Sequence, residues 1–268
     1  PTPGRDQLSG TTADDVIHGL AGGDRISDAE GNDVLYGDAG GDLIIDSEGH
    51  NLLLGGDGDD YVRLNGAPVY DSGGREIGVL GGSPGSFAIG GMGRDRILID
   101  DYSVVAYNAG DSEDEVRWIE GDIQLLTISL GGGILVEDIH LSRDESQLIV
   151  RFGPEPTPEE IDEFIPQKAI FLRNLLSEPE SWPSLVLQVI GEDVRLYDLG
   201  SVVEAYYAEL AQNPDITHWS AAQALQASLI EVSATHAMGG ALAYQYATTG
   251  SVDGLTLAQV RSVLSDPD

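Results

Sequence analysis

The sequence contains no cysteine, so no disulfide can staple the fold and no thiolate can hold a metal. Basic residues are scarce as well: 13 Lys and Arg face 46 Asp and Glu, a formal net charge of −33. Such a polyanion is excluded from nucleic acid and disfavoured at anionic membranes, which leaves cations as its partners. No stretch reaches the ~18 consecutive apolar residues of a membrane span, and no N-terminal signal peptide is recognisable. The chain opens at Pro1 without Met, which reads as a piece of a longer protein.

What the sequence does have is a period of nine. A short acid or amide returns as Asp15, Asp24, Asp33, Asp42, Asn51 and Asp60, each followed two places later by an aliphatic: Ile17, Ile26, Leu35, Ile44, Leu53 and Val62. From Asp14 to Asp60, 13 acids accompany a single base, Arg25, so this stretch repels itself until cations arrive. A six-residue turn followed by a three-residue strand winds a chain into a parallel β-roll with the aliphatic pointing inward. Gly22, Gly31, Gly40, Gly49 and Gly58 are expected to adopt left-handed backbone angles that turn carbonyls toward one point.

Successive turns fall on alternate edges of such a roll, so residues eighteen apart become neighbours. The expected pairs are Asp15 with Asp33, Asp24 with Asp42, Asp33 with Asn51, and Asp42 with Asp60. Two side-chain oxygens and about four carbonyls between each pair make an oxygen cage of roughly six ligands, which suits calcium rather than magnesium. The carbonyls expected to contribute are those of Gly10, Thr12, Gly19, Ala21, Ala29, Gly31, Gly37, Asp38, Ala39, Gly40, Gly56 and Gly58. No histidine occupies a ligand position, which disfavours zinc and copper.

The segment from Gly10 to Arg63 resembles the haemolysin-type calcium-binding repeats of the RTX (repeats-in-toxin) family, degenerate copies of GGxGxDxUx with U a large aliphatic. The resemblance implies several bound Ca2+ ions and export from a Gram-negative bacterium by type I secretion. Asn51 is a neutral ligand, and Thr11 to Ala13 and Asp28 to Glu30 lack the paired glycines, so weaker binding is expected at those turns.

After Arg63 the frame breaks. It returns as GGSPGSFAI and GGMGRDRIL with Asp95 in the ligand position, 35 residues after Asp60 and so one short of four periods. A second, shorter roll out of phase with the first is expected, with Asp100, Asp101, Asp111 and Asp114 as further candidate calcium ligands. The expected fold class is mainly β: a roll over residues 1–100 (blocks about 10–64 and 72–100), a β-rich flanking domain over 101–199, and a helical cap over 200–268. The flanking domain is expected to cover outward apolar positions, Val34, Tyr36, Leu52 and Leu54 on one sheet and Leu43 and Ile45 on the other. Part of it, LGGGILVEDIHLSRDESQLIVRFG, resembles the β-rich segment that follows the repeats in many haemolysin-type proteins, and Gly153 to Gln167 reads as an acidic inserted loop.

Three helix starts are read from capping boxes, Ser201 with Glu204, Ser220 with Gln223 and Thr256 with Gln259, and Asn213 with Pro214 closes the first helix. The tail resembles the C-termini of large RTX proteins, which implies an uncleaved secretion signal over residues 209–268, taken to open on a leucine and to run to Asp268. Catalytic motifs are weak. Ser83 lies in a G-x-S-x-G match, but Pro84 leads into another glycine-rich turn where a nucleophile elbow requires a helix. His18, His50, His140, His218 and His236 lack metal-binding spacing.

The expectation is therefore a non-enzymatic, monomeric, secreted module that folds on meeting extracellular calcium and supports export of an upstream toxin, adhesin or enzyme through the type I apparatus. One alternative is a calcium-dependent adhesive or carbohydrate-binding module using Tyr102, Tyr107 and Trp118; another is a fragment of a secreted hydrolase or self-processing protein.

Overall fold

The computed structural model describes residues 1–64, 67–70, 76–80, 86–99, 102–118, 125–144, 147–153, 168–173, 183–233 and 237–265. The chain winds back and forth between two sheets. On the first lie β1 (Gln7–Ser9), β3 (Arg25–Ser27), β5 (Leu43–Ile45), β7 (Tyr61–Arg63), β11 (Arg96–Leu98), β13 (Glu113–Arg117) and β17 (Ala169–Arg173). On the second lie β2 (Val16–His18), β4 (Val34–Ala39), β6 (Leu52–Asp57), β10 (Phe87–Met92), β12 (Ser103–Tyr107), β14 (Leu125–Leu130) and β18 (Ser184–Ile190). Neighbours in both series are parallel, and the register over the repeats is eighteen, with Ile26 opposite Ile44 and Leu35 opposite Leu53.

The repeat fixes this geometry because each short strand carries one inward aliphatic. Ile26, Leu35, Ile44, Leu53 and Val62 are all fully buried between the sheets. They begin a continuous core that runs on through Val105, Val116, Ile128 and Leu187. The turns close tightly: Gly40 has φ +140°, and a Cβ there would collide with the Gly22 carbonyl one coil back, so no other residue fits.

The second repeat block continues the first. β10 pairs directly with β6, and β11 with β7, in one unbroken pair of sheets. The phase slip is absorbed outside the roll, where β8 (Ala67–Tyr70) and β9 (Glu76–Leu80) form an antiparallel hairpin belonging to neither sheet. Nor do the sheets stop near residue 100, because β12 continues from β10 and β13 from β11. Parallel winding ends with antiparallel strands: β16 (Gln147–Phe152), β15 (Ile139–Arg143) and β20 (Trp219–Ser220) extend the first sheet, while β19 (Val194–Asp198) and β21 (Leu229–Ser233) extend the second.

Among the described residues four α-helices follow or interrupt these strands: α1 (Leu199–Gln212), α2 (Ala222–Ala227), α3 (Gly240–Thr249) and α4 (Leu257–Ser265). The cover over the outward face of the second sheet is another correction. Val34, Leu52, Phe87, Ile89, Val104 and Ala106 pack against Leu242, Ala243, Tyr246, Ala247, Val260 and Leu264 of α3 and α4, with Tyr36 and Leu54 at the margin. Leu43 and Ile45 on the other sheet stay half-buried.

Asn213 closes α1 as expected, and Thr256 and Gln259 form the expected capping box, each backbone N–H donating to the other's side-chain oxygen at 2.9 and 3.3 Å. Ser201 is not the cap of α1: Asp198 is, accepting from the Ser201 N–H, so the helix begins where β19 ends. Ser220 is likewise in β20, and α2 has no side-chain cap. Among the described residues no helix is long and apolar enough to cross a membrane.

The bounds expected for the secretion-signal region are corrected at its start. Position 209 is not leucine but Glu209, and the leucine is its neighbour Leu210. Glu209 sits in the last turn of α1, where its carbonyl accepts the closing Asn213 N–H at 2.9 Å, and Leu210 is buried in the core. The region therefore opens inside a packed helix rather than at a boundary between elements. Its last residue, Asp268, lies outside the described residues together with 266 and 267.

Candidate metal centre

The turns stack into two columns, one along each edge of the roll, and each column is stitched by the residue in the repeat's acid position. On the first edge the N–H of Asp6 donates to Asp24 Oδ1 (2.6 Å), Asp24 to Asp42 (2.6 Å), Asp42 to Asp60 (2.7 Å), Asp60 to Asp95 (2.8 Å) and Asp95 to Asp114 (3.2 Å). On the second edge Asp15 donates to Asp33 (2.7 Å), Asp33 to Asn51 (2.9 Å) and Asn51 to the hydroxyl of Ser86 (3.2 Å). Every pair expected at a spacing of eighteen is therefore made. Asp6 lies one period before Asp15 with Leu8 two places on, so its place in the first column was legible in the sequence. Ser86 follows from the shifted phase that Asp95 marks, whereas Asp114 lies nineteen residues after Asp95, one off that phase.

Each carboxylate spends one oxygen on this ladder. The other Oδ of Asp24, Asp33, Asp42, Asp60 and Asp95 is buried with no hydrogen-bond partner. A buried carboxylate oxygen left bare costs several kcal/mol on the scale of unpaired polar groups, and burying like charges in a row costs more. The surroundings of these oxygens converge. A Cβ on Gly19 would sit 2.5 Å from Gly37 O and 2.8 Å from Asp24 Oδ2, and one on Gly37 would sit 2.7 Å from Asp42 Oδ2 and against Gly55 O. Side-chain and carbonyl oxygens thus line a cradle that glycine keeps open. An all-oxygen, carboxylate-bearing donor set of this kind fits a calcium ion.

The expected carbonyl ligands sort by position. Those of Gly31, Gly37, Asp38, Gly40, Gly56 and Gly58 each lie against a glycine of an adjacent coil at the place a Cβ would fill. Ala39 O accepts the Gly22 N–H at 2.8 Å, and Ala29 O takes a 3.4 Å bond from Ser47 Oγ. Asn51 differs from an acidic ligand: its Nδ2 donates to Glu48 O and Gly49 O, both at 3.2 Å, so its own turn is closed by amide hydrogens.

Two further acids stand where the repeat has glycine. Asp28 and Asp46 open the second-edge turns, and Asp15, Asp28 and Asp33 bring carboxylate oxygens within 4.8 Å of one another. Burial pushes the Asp46 and Asp60 carboxyls up to about 8 and those of Asp33 and Asp95 to about 6; nearby carboxylates add to the rise, and amide hydrogens oppose it. Asp15 is lowered instead by the hydroxyl and N–H of Thr11.

Asp114 joins the first column, whereas Asp111 does not. Both oxygens of Asp111 accept from the Tyr246 hydroxyl at 2.9 Å and one also takes the Asn108 N–H, so this acid fastens α3 to the roll. Asp100, Asp101, Ser83, His236 and residues 154–167 of the acidic loop lie outside the described residues. The aromatic groove is corrected: Tyr107 and Trp118 are buried in the core, and Tyr102 alone of the three is exposed. His18 stacks on Tyr36 at 4.2 Å and meets Asp38 at 3.1 Å, an ordinary surface arrangement.

A parallel roll with carboxylate turns and open glycine cradles defines a metal-binding repeat fold. A family model, the RTX calcium-binding nonapeptide repeat in four copies, matches residues 2–35, 9–44 and 36–66. Residues 2–66 are thus RTX calcium-binding repeats, and the chain contains a calcium-binding module. No curated protein matches the chain.

Proposed function

We propose that calcium triggers the folding of this chain outside the cell and that the module supports type I secretion of an attached cargo. The observation that carries this reading is the column of buried Asp oxygens without partners, because such a column resists closing until a cation lies between the turns. RTX repeat proteins are generally secreted by Gram-negative bacteria, which favours an extracellular site of action. In a calcium-poor cytosol the repeats stay expanded and fit an export channel; outside, extracellular calcium modules work at Kd values of about 10⁻⁴ to 10⁻³ M. A site at tenfold excess over its Kd contributes about 1.4 kcal/mol, and four such sites contribute about 5–6 kcal/mol, comparable with the stability of a small domain.

Residues 209–268, from Glu209 to Asp268, are proposed as the secretion signal, leaving the channel first. Their α3 and α4 then provide an apolar surface onto which the second sheet folds. The chain acts as a monomer and performs no catalysis itself. Circular dichroism during a calcium titration tests the folding step, with a magnesium control expected to leave the chain expanded. Export measured with calcium restricted to the outer side tests the transport step, and equal rates with and without external calcium would refute it.

A further inference from the structure

The two edges of the roll are chemically unlike. On the first edge the turns of Asp24, Asp42, Asp60 and Asp95 open with a glycine, Gly19, Gly37, Gly55 and Gly90, and the space at its Cα is faced by the Asp oxygen of the same turn. On the second edge that opening position is Gly10, Asp28 and Asp46. Side chains there enter the space that the first edge leaves to carbonyls and an ion. A Cβ on Gly10 would run directly into the Asp28 carboxylate, so Asp28 reaches across to the coil below it.

We propose that Asp28 and Asp46 build a second class of cation site on this edge, in which side-chain carboxylates from both ends of the turn, rather than backbone carbonyls, hold a hard divalent cation. This inference rests on the calcium-binding reading of the repeats and deepens it.

Three observations carry it. Asp15, Asp28 and Asp33 each offer a carboxylate oxygen within 4.8 Å of the others, and among the described residues neither Asp28, Asp33 nor Asp46 forms an ion pair with a basic side chain. Asp46 is fully buried with no well-formed hydrogen bond to either oxygen, and it feels the negative charges of Asp33 and Asp28. Asp33, also fully buried, leaves its Oδ2 bare, and Asp28 leaves its Oδ2 bare as well. Above them the column is capped, because the Asn51 amide donates to the carbonyls of its own turn and occupies the role a cation has elsewhere. Three carboxylates therefore gather within 4.8 Å of one another, with the fully buried, bare Asp46 on the same edge one coil further on, below a neutral cap. Such charge density favours tighter calcium binding than a carbonyl-rich cage, since affinity in oxygen sites rises with the number of charged ligands. The turns that depart from the glycine pattern thereby become the stronger sites.

The test restores the repeat pattern. In the Asp28→Gly/Asp46→Gly variant of the full chain, each second-edge turn regains the glycine that the first edge already tolerates. Calcium stoichiometry is read by native mass spectrometry and affinity by titration calorimetry. The expected result is loss of the tightest-binding class of ions with the first-edge ions retained and the β signal intact. A variant that binds the same number of ions with the same affinities overturns the inference while leaving calcium binding by the roll standing; a wild-type chain that binds no calcium overturns both. Should the double glycine variant fail to fold, Asp28→Asn/Asp46→Asn keeps the shape and removes the charge: at least a tenfold weaker tight class is expected, and unchanged affinity overturns the proposal.

Discussion

The coils before residue 64 and those after residue 102 belong to the same two sheets, yet they are held together differently. In the repeats a strand such as β3 or β5 is three residues long and fully buries one side chain, so each coil adds little apolar surface. In β12 all five residues are buried, and in β14 five of six. A fully buried aliphatic is worth roughly 1.5–3 kcal/mol, so the later coils carry more apolar stabilisation per strand. The earlier ones set one inward aliphatic per strand against a buried acid at the turn. On the proposed reading, calcium substitutes for core in the half of the roll where three-residue strands bury least.

Substitutions on the two sides of this boundary should behave in opposite ways. Ile128→Ala, at a fully buried position of β14, is expected to cost about 2–5 kcal/mol in denaturant unfolding, by the same amount with calcium or with chelator. Asp42→Ala removes a carboxylate shared by the cradles below and above it. It should weaken calcium binding at both, seen as a lower stoichiometry in calorimetry, and leave the stability of the later coils unchanged.

Acidity gives a third contrast. Carboxyls that titrate near 3.8 when unfolded are raised to about 6 at Asp33 and Asp95 and about 8 at Asp46 and Asp60. The metal-free folded chain therefore holds more protons than the unfolded chain between those values, and its stability falls as pH rises from about 4 through about 8. Thermal melts in chelator should show a higher Tm at pH 5 than at pH 8, and saturating calcium should abolish or reverse that order. The smallest effect is expected at the tail: Tyr246→Phe deletes the hydroxyl that donates to buried Asp111, costing about 1–3 kcal/mol, with faster proteolysis of α3 than of the roll.

Much of the repeat half was legible because its chemistry is local and periodic. The acid-to-aliphatic spacing gave the strands, the inward side chains and the pairs at eighteen, and the glycines expected to be left-handed, from Gly22 to Gly58, all have positive φ. What the sequence hid was non-local. A hairpin can hold any number of surplus residues, so the 35-residue gap before Asp95 said nothing against direct pairing of β10 with β6. The cover by α3 and α4 depends on contacts such as Gly131 beneath Ala247, more than a hundred residues apart, where a Cβ would collide with the helix backbone. At α1 two residues compete as caps, Asp198 and Ser201, and the end of β19 decides for Asp198. The stretch from Asp28 to Glu30 reads as a lapse from the glycine pattern; only the stacking shows that the Asp28 carboxylate fills the space facing Gly10.

Hydrogen exchange resolved along the chain tests the central claim most directly. In chelator the amides of Leu35, Ile44 and Leu53 should exchange rapidly while those of Ile128 and Leu187 stay protected, and added calcium should protect all five. Equal protection of both regions without calcium would contradict the account.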